Sequence, residues 1–203
     1  MKFFKPSNLP NLMVAPNGAR KTKKDHTKIP VTIEEIVIDA EDCFNKGARA
    51  MHFHVRDKNQ MHVLDAGIYN EALKELSRKL PKMHFQITTE CVGKYTPDEM
   101  QNVTKAVMPP GVSIGIIEMI PDGNITKEII NFYSMLDEFN ICVQHICYKP
   151  DQLILLSKLL ESCMISKNNI WCMFTIGHYS GIKSDPNLIP KFLDQAKIEG
   201  IEA

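Results

Sequence analysis

The chain has 203 residues, 44% hydrophobic, 24% charged and 7% aromatic, which predicts one globular domain over residues 1–203 with a core that needs no staples. Lys+Arg and Asp+Glu both number 24, so the formal net charge is zero and the basic surplus of a nucleic-acid-binding protein is missing. No apolar run approaches the roughly 18–20 residues of a membrane span, and Pro6, Pro10 and Pro16 interrupt the opening stretch, so neither a membrane partner nor a secretory signal is expected.

In chain order, short apolar runs alternate with segments of helical period. A strand is predicted over residues 12–15. A helix follows from Thr32, with Glu35 three residues on as a capping box, to a stop at Gly47. The next strand covers 50–55, and Asp65 opens a helix to about Lys79, ahead of Pro81. A third strand at 85–89 precedes a helix from Thr96-Pro97, with proline at its first turn and Asp98 and Glu99 at the positive end of its dipole. Strands at 112–119, 141–148 and 170–176 lead into helices at 126–139, 150–163 and 185–197. Mostly apolar strands in this alternation predict a parallel sheet covered on both faces, with right-handed crossovers. Alternation alone leaves an open doubly wound sheet and a (β/α)8 barrel in competition. No GxGxxG or GxxxxGK[ST] follows any strand, which argues against a dinucleotide or P-loop site.

The six cysteines form no CxxC pair and sit largely in apolar runs such as ICVQHICY and IWCMF. Buried free thiols in a reducing cytoplasm are the expectation.

The most informative stretch is Met51-His52-Phe53-His54-Val55-Arg56-Asp57. Residues two apart on a strand point to one face, so His52 and His54 present two imidazoles together, a pair suited to zinc or a similar divalent ion. Phe53 points the other way, into packing. The alternative is a pair of histidines satisfied by hydrogen bonds in a polar layer. A catalytic zinc needs a third protein ligand; Glu90, Glu118, His145 and His178 all lie near strand ends, and spacing singles out none of them. His26, His62 and His84 read as exposed or locally bonded. Further polar residues, Thr88-Thr89-Glu90, Ser113, Gln144 and His145, interrupt apolar strands and require partners.

The segments VAPNGARKTKKDH, IPVTIEEI, CFNKGARAMHFHVRD, QITTE, VSIGIIEM, VQHICY and IGHYSGIKSDPNLIPKFL, in this order, resemble the β-keto acid cleavage enzymes, the family that includes 3-keto-5-aminohexanoate cleavage enzyme. The resemblance implies an α/β fold of the TIM-type (β/α)8 barrel and a zinc-type divalent metal held partly by His52 and His54. It implies condensation of a β-keto acid with acetyl-CoA, releasing acetoacetate and a new CoA thioester. By motif position it implies substrate contacts at Thr88 and Ser113, both hydroxyl-bearing. Arg20 stands where the aminohexanoate enzyme carries an acidic residue that recognises the substrate amine, so an anionic or neutral β-keto acid is expected. Family members generally associate, which implies a homo-oligomer.

The family's third metal ligand, a glutamate in a GFED-like stretch, and its catalytic arginine lie in later segments that have no counterpart before Ala203. The expectation is an incomplete barrel of about six βα units, without the last two. Three readings follow: an enzyme completed by those strands, a catalytically inactive member with a weak metal site or an assembly role, and a non-enzymatic scaffold.

Overall fold

A computed structural model describes residues 10–167, 170–177 and 183–201. They fall into two compact units, one ending at Val112 and one beginning at Ser113.

In the first unit, β1 (Met13–Val14), β2 (Ala50–Phe53) and β3 (His84–Thr88) alternate with α1 (Ile33–Asn45), α2 (Ala66–Lys79) and α3 (Pro97–Val107). The strands pair in parallel, β1 with β2 and β2 with β3, in the register Met51 to Phe85, His52 to Gln86 and Phe53 to Ile87. The predicted helix starts are seen as built. Thr32 and Thr96 each accept from the backbone N–H three residues on, and Glu35 and Glu99 reach back to close capping boxes. Asp65 caps α2 by accepting from Ile68 N–H. Period two then sorts the strands into faces. Met51, Phe53, Phe85 and Ile87 are buried, and Phe53 meets Tyr69 of α2 edge to face at 5.7 Å. The residues between them, His52, Gln86 and Thr88, therefore line the face turned away from the helices.

In the second unit, β5 (Cys142–Cys147) and β6 (Trp171–Phe174) pair in parallel, with Gln144 opposite Trp171 and His145 opposite Cys172. They alternate with α5 (Lys127–Glu138), α6 (Gln152–Ser162) and α7 (Leu188–Ile198). Phe174 stacks on Phe192 of α7 at 4.8 Å. Lys167 staples α6 to the end of α7, donating to Ser157 Oγ, Glu161 Oε1 and the Glu199 carbonyl. Pro190 falls in the first turn of α7, where no intrahelical N–H is lost.

One element departs from the sequence expectation. The run predicted as a strand over 112–119 divides into β4 (Gly111–Gly115) and a single helical turn, α4 (Ile116–Met119). A short, mostly apolar run whose two polar residues, Ser113 and Glu118, lie five apart carries no period to separate strand from helix. Glu118 accordingly sits in a turn of helix and not at a strand end. All six cysteines are free thiols. No described helix is long and apolar enough to cross a membrane. The chain is thus an α/β fold of six βα units in succession, an incomplete set for the eight that close a TIM-type barrel.

Candidate metal centre

The centre is built on the C-terminal ends of β2 and β3, where parallel α/β folds assemble their sites. His52 and His54 behave as the spacing predicts: their Nε2 atoms face each other at 3.1 Å. β2 ends at Phe53, and the side chain of Asn17 takes over the role of a neighbouring strand. Its Oδ1 accepts from the His54 N–H at 2.9 Å, and its Nδ2 donates to the His54 carbonyl at 2.9 Å and to the Pro30 carbonyl at 3.0 Å. His54 therefore keeps the extended direction that puts its ring on the same face as His52.

Each imidazole is oriented from behind. His52 Nδ1 lies 2.7 Å from Gln86 Oε1, its direct cross-strand neighbour. An amide oxygen only accepts, so the proton sits on Nδ1 and Nε2 carries a lone pair. His54 Nδ1 lies 3.4 Å from His62 Nδ1, and His62 Nε2 lies 3.0 Å from the Glu90 carbonyl. Burial holds the histidines neutral at neutral pH. It lowers the His52 pKa, with the Gln86 contact opposing in part. It lowers that of His54 well below the ordinary value, helped by His52, His62 and Arg56. It lowers that of His62 to about 4 against the opposing bond to Glu90. Glu90 Oε2 stands 3.9 Å from His54 Nε2, but a neutral His54 makes this contact no ion pair.

Arg56, on the far side of His54, is buried and spends its charge on carbonyls. Its guanidinium donates to Gly18, Ala19, Lys21 and Gln60. It thereby holds the loop after β1, which carries Arg20 at the surface. Thr88 is buried two residues beyond Gln86 on the same face, its Oγ1 accepting from Glu90 N–H at 2.9 Å. Ser113 is buried on β4 of the second unit.

Of the expected third ligands, Glu90 brings Oε2 to 3.9 Å from His54 Nε2, and Glu118 lies in the turn of α4. His145 is buried but stacks on Tyr133 of α5 at 5.8 Å and 18°, so it points into the helix layer. His178 lies outside the described residues. Among the described residues no three His, Cys, Asp or Glu side chains are gathered to hold a metal. His62, read from sequence as exposed or locally bonded, is instead buried against His54, with ring centroids 5.0 Å apart. Gln86 and Asn17 join the site without a signal in the motif reading. The period of β3 puts Gln86, two residues before Thr88, on the same face. The other two are placed by loops.

The Nε2 atoms of the two neutral imidazoles converge at 3.1 Å, and where both carry lone pairs that spacing and donor type suit a borderline divalent ion.

A sequence profile of the β-keto acid cleavage enzymes matches residues 11–199. The 3-keto-5-aminohexanoate cleavage enzyme of Fusobacterium nucleatum subsp. nucleatum is 31% identical over 72 residues, 36% of this chain and 26% of that protein. Its counterpart from Acetoanaerobium sticklandii is 42% identical over 40 residues, 20% of this chain and 15% of that protein. Among solved structures, a ternary complex of ObcA with a C4-CoA adduct and oxalate matches with a TM-score of 0.59 at 11% identity, over 78% of this chain and 40% of ObcA. The ObcA binary complex with oxaloacetate matches at 0.55 and 10% identity, again over 78% of this chain and 40% of that one. The aligned stretches thus span about a quarter or less of the curated relatives. The chain belongs to the β-keto acid cleavage enzyme family.

Proposed function

We propose that this chain carries the metal-binding portion of a metal-dependent enzyme that condenses a β-keto acid with acetyl-CoA, giving acetoacetate and a new acyl-CoA. The observation that carries this reading is the convergence of His52 Nε2 and His54 Nε2 at 3.1 Å, with Gln86 and His62 set behind the two Nδ1 atoms. A divalent ion such as zinc, when bound there, supplies Lewis acidity toward a carbonyl oxygen of the β-keto acid. The chain's own residues orient the ligands and the substrate. Gln86 and His62 fix the two rings, and Asn17 fixes the backbone of His54. Thr88 and, by motif position, Ser113 supply hydroxyls for the substrate carboxylate. Arg20, at the surface of the Arg56-clamped loop, favours an anionic or neutral β-keto acid over a cationic amino substrate. The ObcA complex with a C4-CoA adduct supports a CoA thioester as the second substrate. We read residues 1–203 as one barrel domain of a cytoplasmic homo-oligomer. Exposed Ile189, Leu193 and Ile198 on α7 support association.

A second reading is favoured by there being no three metal-ligating side chains gathered among the described residues: this chain by itself is catalytically inactive and holds metal weakly, or serves assembly. One experiment addresses both. Purified protein is assayed for bound zinc and for acetyl-CoA-dependent acetoacetate formation from a panel of β-keto acids. Metal with turnover supports the first reading, and metal without turnover supports the second. Absence of metal from wild type, under conditions where the fold is intact, defeats the proposed centre.

A further inference from the structure

His62 reaches the centre by a turn. The chain leaves β2, and Asp57 N–H donates to the Met61 carbonyl at 2.8 Å. Gln60 adopts a left-handed φ of 66°, and Arg56 and His62 form an antiparallel bridge. The turn returns residue 62 beside His54 and commits both of its ring nitrogens. The Glu90 carbonyl can only accept, so the proton of His62 is on Nε2. A neutral imidazole has one N–H, which makes His62 Nδ1 an acceptor. The proton in the 3.4 Å contact between the two Nδ1 atoms therefore belongs to His54.

We infer that His62 is a positioning residue, which holds His54 in the tautomer whose Nε2 lone pair faces the cation. This rests on the reading of His52 and His54 as metal ligands. Its physical content is a competition. Without an acceptor behind it, His54 can carry its proton on Nε2 and donate it to His52 Nε2, 3.1 Å away. That neutral histidine–histidine hydrogen bond closes the site, and a metal ion must break it to enter. His62 removes the competing state by giving the proton a better place. The line Glu90 carbonyl, His62, His54 is thus an outer shell for one ligand, as Gln86 is for the other.

The test compares wild type with His62→Phe, which keeps an aromatic ring but no acceptor, and His62→Asn, whose amide oxygen can accept from His54 Nδ1–H. The tautomer of His54 is read from ¹⁵N chemical shifts in metal-free protein, and zinc affinity from competition with a chromophoric chelator. The inference expects Nδ1–H on His54 in wild type. It expects His62→Phe to populate Nε2–H and to weaken zinc about ten- to a hundredfold, the usual cost of losing an outer-shell partner. His62→Asn should recover most of that loss. Nε2–H on His54 in wild type overturns the inference, as does an unchanged affinity and tautomer in His62→Phe. If wild type binds no zinc, the metal reading falls, while the metal-free spectrum still decides the tautomer. That spectrum also decides if His62→Phe does not fold.

Discussion

The β2–β3 face and the β5–α5 layer each bury a histidine near the end of a parallel strand, and the two do opposite things. His54 looks away from the helices, is backed at Nδ1 by His62, and meets a second imidazole. His145 looks toward the helices and stacks flat on Tyr133. Residue type, burial and position along the strand are nearly the same. The difference is parity, the face to which an odd or even residue is assigned. A strand-end histidine is therefore a ligand candidate only when its neighbours in sequence are seen packing on the helix side. Phe53 against Tyr69 provides that sign for β2.

The sharpest way to break this comparison is to truncate both rings. His54→Ala removes one of two imidazole donors and is expected to weaken zinc by about a hundredfold or more, beyond the range of an outer-shell residue. His145→Ala should leave zinc affinity unchanged. It should cost about 3 kcal/mol of stability, as for other buried aromatic rings cut to alanine, seen as a midpoint lowered by about 6–12 °C. Chelator competition and thermal melts on the same preparations check both. Equal zinc loss in the two variants would end the parity argument.

Acid should act on the same ring next. Burial lowers the His145 pKa from 6.5 to about 4, against a backbone contact with Trp171 that raises it. The unfolded chain takes up a proton near pH 6.5 and the folded chain only near pH 4. Stability is therefore full above pH 6.5 and falls as pH drops between those values. The fall is about 3 kcal/mol for a shift of this size. His62, also held near pH 4 by burial, adds a loss of the same sign. His145→Phe keeps the stack on Tyr133 and has no proton to take up. Denaturant unfolding between pH 7 and 4 should give a shallower decline for this variant than for wild type, and parallel curves would refute the assignment.

How much of this was legible beforehand follows from the same physics. The two-residue period of β2 was readable because an aromatic separates the histidines, and the helix starts were readable because their caps are local. Gln86 obeys the period of β3 and lies opposite His52 only once the register is known. His62 is placed by a turn with a left-handed residue at Gln60, which no periodicity encodes. β5, with Val143, Gln144, His145 and Ile146 in succession, mixes polar and apolar on both faces and carries no sign of which way His145 turns. The 112–119 run is unreadable for a related reason: its two polar residues, Ser113 and Glu118, are five apart and fit neither period, which leaves Gly115 as the punctuation between strand and helix.

The smallest effect compares the start of one helix in each unit. In the first, α1 has a full capping box, with Thr32 Oγ1 accepting from Glu35 N–H at 3.2 Å and Glu35 Oε2 accepting from Thr32 N–H at 3.2 Å. In the second, α6 begins at Asp151 with no side-chain capping bond and with helical backbone angles. Thr32→Ala is expected to cost about 1 kcal/mol, because it strands an N–H that Glu35 cannot replace. Asp151→Ala should stay within about 0.5 kcal/mol, since its carboxylate is exposed and relieves no orphan donor. Urea midpoints at constant slope separate the two values. Equal losses would mean that the start of α6 is held through Asp151 after all.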